Sequence, residues 1–417
     1  MKALTVRYEG FGQSVPLGTL ADDGKAVLFE YSPEALAQGL DLSPLRLPLR
    51  LAAYPDRLGD YQALHGVPGL VCDSLPDGWG VRLLHRRMRA RGLNPAALST
   101  LDHLACLGSH TMGALTYHPA DPVDMPADDL SLWALAQEVQ AVESDDGHPV
   151  LAELARVGGS PGGARPKALV HFNPQTQALS TQAHQVPGGQ PWLVKFAAAG
   201  DTADSCVLEF LYAQLAGACQ LGMADTHLFE LPGGRFAFGT QRFDRRDGAR
   251  VHVHTLAGLL HANFQVPSVG YEDFFRVTRR LTRDQRELVK ALKICVFNVL
   301  VHNRDDHAKN LSFLREADGR WLLAPPYDLT HCAGHRGEHF MDVAGESRAP
   351  ARAHVLAAAA SAGLPAAVAT RAVDEVLAQV TPDLFGREAQ HLPLLASTRE
   401  SVHQAVTVNH ARLHKNT

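Results

Sequence analysis

Apolar and polar residues alternate at the start of the chain, where Leu4, Val6 and Tyr8 are separated by Thr5 and Arg7. A period of two places one face of a strand in a core. A second alternating run surrounds Val27, Phe29 and Tyr31, and the Asp22-Asp23-Gly24 triplet before it predicts a turn. The turn-rich stretch Ser74-Leu75-Pro76-Asp77-Gly78-Trp79-Gly80 leads into a predicted helix over Val81–Ala90. That helix ends in Arg86, Arg87, Arg89 and Arg91, cations that favour a helix C-terminus, with a partner or DNA contact as the alternative. An acidic, proline-containing segment, 121–150, carries one further helix, Leu132–Val142. Strands are predicted over Ala168–Phe172, Trp192–Phe196 and Arg235–Thr240. A helix around 204–216 presents Leu208, Leu211, Tyr212 and Leu215 on one face, with Glu209 at its edge. The clearest helical period runs over 282–302 through Leu288, Leu292, Cys295 and Val299, and Thr282 with Gln285 has capping-box spacing. The Ala-rich stretch 353–369 is broken by Gly363 and Pro365, which predicts two helices. The class is α+β, divided into a small α+β unit over 1–120, a second β-containing unit over 121–245 and a helical unit over 246–417.

Composition narrows the class. With 417 residues, 46% apolar and 20% charged, the chain has the balance of a soluble globular protein of two to three domains. A net charge of −5 argues against a chain that grips nucleic acid by itself, so little direct nucleic-acid binding is expected. Six dispersed cysteines without a Cys-x-x-Cys pair suit a reducing cytosol. Charge appears too early at the start for a signal peptide, and no apolar run approaches a membrane span. The expected location is cytoplasmic.

Chemistry concentrates in Val301-His302-Asn303-Arg304-Asp305-Asp306-His307-Ala308-Lys309-Asn310, followed by Pro326-Tyr327-Asp328-Leu329-Thr330. Phosphoryl transfer needs a carboxylate to orient and deprotonate a hydroxyl, and oxygen ligands to hold Mg²⁺. Asp305 supplies the first; Asn310 and Asp328 supply the second. The bland alternative is a polar loop capped by Asn and Asp. Upstream, Gly158-Gly159-Ser160-Pro161-Gly162-Gly163-Ala164-Arg165-Pro166-Lys167 is dense enough in glycine for backbone N–H groups to close around phosphate, although it lacks the Walker spacing. Lys195 stands alone in an apolar strand, where an unpaired ammonium is costly, and Glu209 is its candidate partner. His331, Cys332, His335 and His339 cluster in sequence, but Gly334 and Gly337 disfavour the helix that a zinc site at that spacing would use.

Taken in order, the Ser160–Lys167 run, the Lys195 strand, Gln241-Arg242-Phe243-Asp244-Arg245 and the Asp305–Asn310 loop resemble the HipA family. These are the serine/threonine-kinase toxins of bacterial toxin–antitoxin modules. The resemblance extends to the amino-terminal unit through Leu75–Gly80 and Gly113-Ala114-Leu115. It implies a protein-kinase-like fold of a β-rich and a helical lobe with an added N-terminal subdomain. It further implies ATP and Mg²⁺ as cofactors and Asp305 as catalytic base, with Asn310 and Asp328 on the metal. Gly162, Gly163, Ala164, Arg165, Pro166 and Lys167 would form the phosphate loop, with Lys195 and Glu209 behind it. Gln241, Arg242 and Phe243 would form the adenine hinge, and His307, Lys309, Asn310 and Tyr327 would complete the nucleotide site. Ser160 matches the family's autophosphorylated serine. The implied partners are a protein substrate such as an aminoacyl-tRNA synthetase, and a HipB-like helix-turn-helix antitoxin that reaches operator DNA. A small-molecule phosphotransferase and an inactive co-repressor scaffold are the competing readings. Three positions depart from the pattern: Asp306 where Gly is frequent, adding negative charge near the base; Arg165 for Gln; and His252-Val253-His254-Thr255-Leu256 for a Gln-Glu-Asp-like stretch.

Overall fold

The computed structural model describes residues 2–55, 61–76, 78–90, 92–120, 131–143 and 165–415. They fall into two compact units, one made of residues 1–203, 227–254 and 258–261, the other of 204–226, 255–257 and 262–417. The first is β-rich and the second helical.

Among the described residues the β-rich unit holds two large sheets beside a two-stranded ribbon at Arg245–Arg246 and Ala249–Arg250. In the first, β1 (Lys2–Tyr8), β2 (Val15–Asp22), β3 (Val27–Tyr31) and β4 (Leu115–His118) run in the order β3-β2-β1-β4, each neighbour antiparallel. The predicted alternation is the observed one: Leu4, Val6 and Tyr8 are buried, each at 2% exposure or less. Each such side chain stabilises the fold by about 1.5–3 kcal/mol relative to exposure. The turn before β3 is built as its composition predicts. Asp22 accepts from the Gly24 amide, Asp23 accepts from Lys25 and Ala26, and Gly24 supplies the positive φ.

The second sheet has the order β6-β5-β7-β9-β8, with β5 at Lys167–Asn173, β6 at Ala178–Ser180, β7 at Gln190–Phe196, β8 at Thr226–Leu231 and β9 at Arg235–Gln241. One face buries Ala168, Val170, Phe172, Trp192, Val194 and Phe196. Two helices cover it, α1 (Gly78–Ala90) through Trp79 and Leu83, and α2 (Leu132–Glu143) through Leu135 and Val139. Helix α1 begins three residues before the predicted Val81, because Trp79 is wholly buried and its Nε1 donates to the Lys167 carbonyl at 3.1 Å.

The helical unit contains α3 (Ser205–Ala218), α4 (Tyr271–Thr282), α5 (Gln285–Leu300), α6 (Arg352–Ser361), α7 (Ala366–Gln379), α8 (Pro382–Gln390) and α9 (Ala396–His414), with α4, α6, α7 and α9 packed against α5. From Ala291 to Val301 most of α5 is buried on every side, as a central helix requires. The expected Thr282 capping box is corrected. Thr282 ends α4, Arg283 takes a left-handed φ of 53°, and Asp284 caps α5 by accepting from the Arg286 amide at 2.8 Å. The Ala-rich stretch does divide into α6 and α7, with Gly363 at φ +77° between them. Among the described residues no helix is long and apolar enough to cross a membrane.

Candidate functional site

Helix α5 delivers the chain directly to the loop after Leu300. Its two consecutive aspartates are divided between solvent and core. The Asp305 side chain is 54% exposed, whereas that of Asp306 is wholly buried. The Asn310 amide nitrogen donates to the Asp305 carbonyl at 2.9 Å, which closes the loop and leaves Asn310 Oδ1 as the acceptor of that amide. His307 Nε2 lies 3.9 Å from Asp305 Oδ1, and its ring is held between Phe264 and Phe340. The Lys309 ammonium sits 4.7 Å over the Phe264 ring. Tyr327 braces the loop, its hydroxyl meeting the Lys309 carbonyl at 2.7 Å and Ser312 Oγ at 2.6 Å. Asp328 follows at φ 58°, a conformation that costs a non-glycine residue about 1–3 kcal/mol and persists where the surroundings impose it.

Asp306, expected to add a negative charge near the base, is held inside the protein. Its carboxylate points inward and accepts from Tyr271 Oη at 2.8 Å, His339 Nδ1 at 2.8 Å and the Phe340 amide at 2.9 Å. The Asn298 side chain donates to Tyr271 Oη and accepts from the Asn303 side chain, so α4, α5 and the loop share one buried network. Burial, with Asp306 beside it, pushes the Tyr271 hydroxyl well above the usual phenol range and keeps it a donor. Of the sequence cluster of histidines, His339 is committed to Asp306 and His331 stacks on His302 at 5.2 Å. Burial, reinforced by Arg304 and His331, pulls His302 down to about 3. Among the described residues no three or more His, Cys, Asp or Glu side chains gather as a metal cage.

In the β-rich unit, Lys167 and Lys195 are directly opposed on β5 and β7. Opposed residues share a sheet face with Cβ atoms about 4.5–5.5 Å apart. Both are buried, at 3% and 7% exposure. Arg165 approaches Asp201 at 3.2 Å, and the Pro166 carbonyl accepts from the Phe196 amide. Ser160, Gly162, Gly163 and Ala164 lie outside the described residues. Glu209, on α3 of the helical unit, is buried at 2%.

The predicted hinge continues β9. Gln241 is opposite Trp192, and the Arg242 amide donates to the Pro191 carbonyl at 2.9 Å. The Arg242 guanidinium forms a bidentate pair with Asp244, both bonds 2.8 Å. Asp244 also accepts from Arg245 and the Gly113 amide, which ties the hinge to the loop before β4. Burial alone would raise the Asp244 carboxyl, but Arg242 and Arg245 outweigh it and hold it well below the usual carboxylate range. The divergent His252–Leu256 stretch is also internal in part. His254 Nε2 meets Ser43 Oγ at 2.9 Å and its Nδ1 meets Asp73 at 2.6 Å. This is a Ser-His-Asp order, but Ser43 is wholly buried and out of any substrate's reach, so the trio is a brace. Residue spacing gives no sign of the Asp244, Asp306 or His254 networks.

A model of the HipA N-terminal domain matches residues 11–118, and one of the HipA-like C-terminal domain matches residues 159–384, more than half of the chain. No match is found among curated protein sequences. Among solved structures, HipA of Shewanella oneidensis MR-1, determined in a toxin–antitoxin complex with HipB and operator DNA, superposes with a TM-score of 0.69 at 19% identity. The alignment covers 98% of this chain and 97% of that one, so the two share a fold. The proinflammatory kinase CtkA of Helicobacter pylori aligns with 54% of this chain and 88% of its own at 12% identity, with a TM-score of 0.40, too low to bear on the fold. The chain belongs to the HipA family.

Proposed function

We propose that this protein is an ATP- and Mg²⁺-dependent protein serine/threonine kinase that acts as the toxin of a HipA/HipB-like module. The observation that carries the reading is the exposed Asp305 carboxylate on a loop closed by Asn310 and anchored by the buried Asp306. An exposed carboxylate beside a fixed frame can orient a substrate hydroxyl and take its proton. Asp328 and the Asn310 Oδ1 are hard oxygen donors of the kind Mg²⁺ takes, one or two from protein beside phosphate rather than an all-protein cage. When bound, ATP supplies the phosphoryl group and Mg²⁺ neutralises charge on its oxygens. Lys195 and Lys167, with the 162–166 loop, would balance the phosphates, and the Gln241–Phe243 backbone would border adenine. Asp244 orders that border by occupying the Arg242 side chain.

Ser160 is the proposed autophosphorylation site. A phosphate there adds about −1.5 to −2 charges beside the nucleotide phosphates and opposes ATP binding. The partner we propose is a HipB-like antitoxin that carries the complex to operator DNA, and the substrate is a cellular protein such as an aminoacyl-tRNA synthetase. Phosphoproteomics of cells expressing wild type against Asp305→Ala tests the reading. Protein phosphosites that vanish in the variant support it. Phosphate transferred only to metabolites would make the chain a small-molecule phosphotransferase, and toxicity surviving Asp305→Ala would make it a scaffold.

A further inference from the structure

The residues on either side of Asp305 fasten one and the same stretch of chain. Arg304 donates through one terminal nitrogen to the Ala333 carbonyl at 3.1 Å and through the other to the Arg348 carbonyl at 2.7 Å. Its own carbonyl accepts from the Phe340 amide at 3.1 Å. Asp306 takes the same amide, His339 Nδ1 and, more weakly at 3.4 Å, the Met341 amide. Further back, the Cys332 amide donates to the His302 carbonyl at 3.0 Å. The segment also closes on itself, with the His339 amide on the Ser347 carbonyl at 2.7 Å and Arg348 on Glu338 at 2.9 Å. Residues 332–348, which follow Asp328, are therefore held by the loop that carries Asp305.

In many phosphoryl-transfer enzymes a segment in this position becomes ordered only when a phosphate is added to it and captured by arginine. Here the arginine is occupied by two backbone carbonyls, and the anion that gathers the segment's donors is a buried carboxylate of the loop itself. Between residues 329 and 349 the only hydroxyl side chains are Thr330 and Ser347. We propose that Arg304 and Asp306 are positioning residues for Asp305, and that the 332–348 segment keeps its working arrangement without any phosphate. The proposal rests on the kinase reading above.

The test uses the purified full chain. Asp306→Asn is expected to lower kcat on the order of 100-fold through misplacement of the neighbouring carboxylate, with the KM for ATP unchanged. Arg304→Gln is expected to split the two constants the same way. Tyr271→Phe removes one donor from Asp306 while keeping the ring, and it gives a smaller loss of the same kind should Asp306→Asn fail to fold. Hydrogen exchange read by mass spectrometry should show faster exchange over residues 338–342 in Asp306→Asn and Tyr271→Phe. The double variant Thr330→Ala/Ser347→Ala should keep the wild-type rate, and phosphatase-treated wild type should be no slower than untreated. Wild type that transfers no phosphate overturns the kinase reading and this proposal with it. An active wild type beside variants with undiminished kcat or unchanged exchange overturns this proposal alone, and so does an inactive Thr330→Ala/Ser347→Ala chain.

Discussion

Each unit buries one aspartate side chain completely within a few residues of a proposed functional stretch, Asp244 after the proposed hinge and Asp306 after Asp305, and the two are satisfied differently. Asp244 faces two guanidinium groups and one amide. Asp306 faces a phenol, an imidazole and backbone amides. A carboxylate neutralised by charge binds its partners strongly but leaves buried cations behind when it is lost. A carboxylate satisfied by dipoles leaves only unmade hydrogen bonds, a smaller stability cost. Asp244 should therefore matter first to folding, and Asp306 first to the geometry of the adjacent Asp305.

The largest effect expected on stability separates the two directly. Asp244→Ala leaves Arg242 and Arg245 buried without their anion and should destabilise the β-rich unit by about 3–5 kcal/mol, read by chemical denaturation. A loss no larger than that of Asp306→Ala would break the comparison. Next, Lys195→Ala removes one of two cations opposed across β5 and β7 and should weaken ATP binding about 10- to 100-fold, the worth of a hydrogen bond to a charged group. Calorimetric titration checks this, and equal affinity would show that this face does not meet phosphate.

A third carboxylate sharpens the comparison, because Asp73 is paired with a buried histidine instead. A Cβ at Gly258 would lie 2.5 Å from Asp73 Oδ2 and 2.7 Å from the His254 ring. Gly258→Ala should cost about 1–3 kcal/mol by overpacking, visible as a lower thermal midpoint, while the smaller His254→Ala/Gly258→Ala pair should recover part of it. The smallest effect is on pH dependence. His302 is held down to about 3 from an ordinary 6.5, chiefly by burial, so the unfolded chain takes its proton first. Its contribution to stability is complete above pH 6.5 and declines as pH falls from there toward 3. Thermal midpoints measured between pH 8 and pH 5 should show that decline, and it should be shallower in His302→Gln.

How much of this was legible in the residues depends on the range of the interaction. The Leu4–Tyr8 alternation, the Asp22–Gly24 turn and the Gly363 break are local, and the structure follows them. The helix start at Gly78 was missed because its cause, the Trp79 bond to Lys167, spans 88 positions. The Thr282 cap failed for a local reason, since Asp284 offers a better acceptor two residues later. The partners of Asp306 were not legible because His339 lies 33 positions away, and Asp244 meets Gly113 across 131. No spacing rule reaches that far. Asp305, Asn310 and Asp328 are proposed from order and residue type, which chemistry constrains even when packing is unknown.

The central claim is that Asp305 performs the chemistry while other residues hold the nucleotide, and Asp305→Asn tests it most directly. The variant keeps shape and removes the base, so phosphate transfer to protein should fall by about 10³-fold with ATP affinity unchanged in the same preparation. Transfer at a near wild-type rate by folded, ATP-binding Asp305→Asn protein would contradict it.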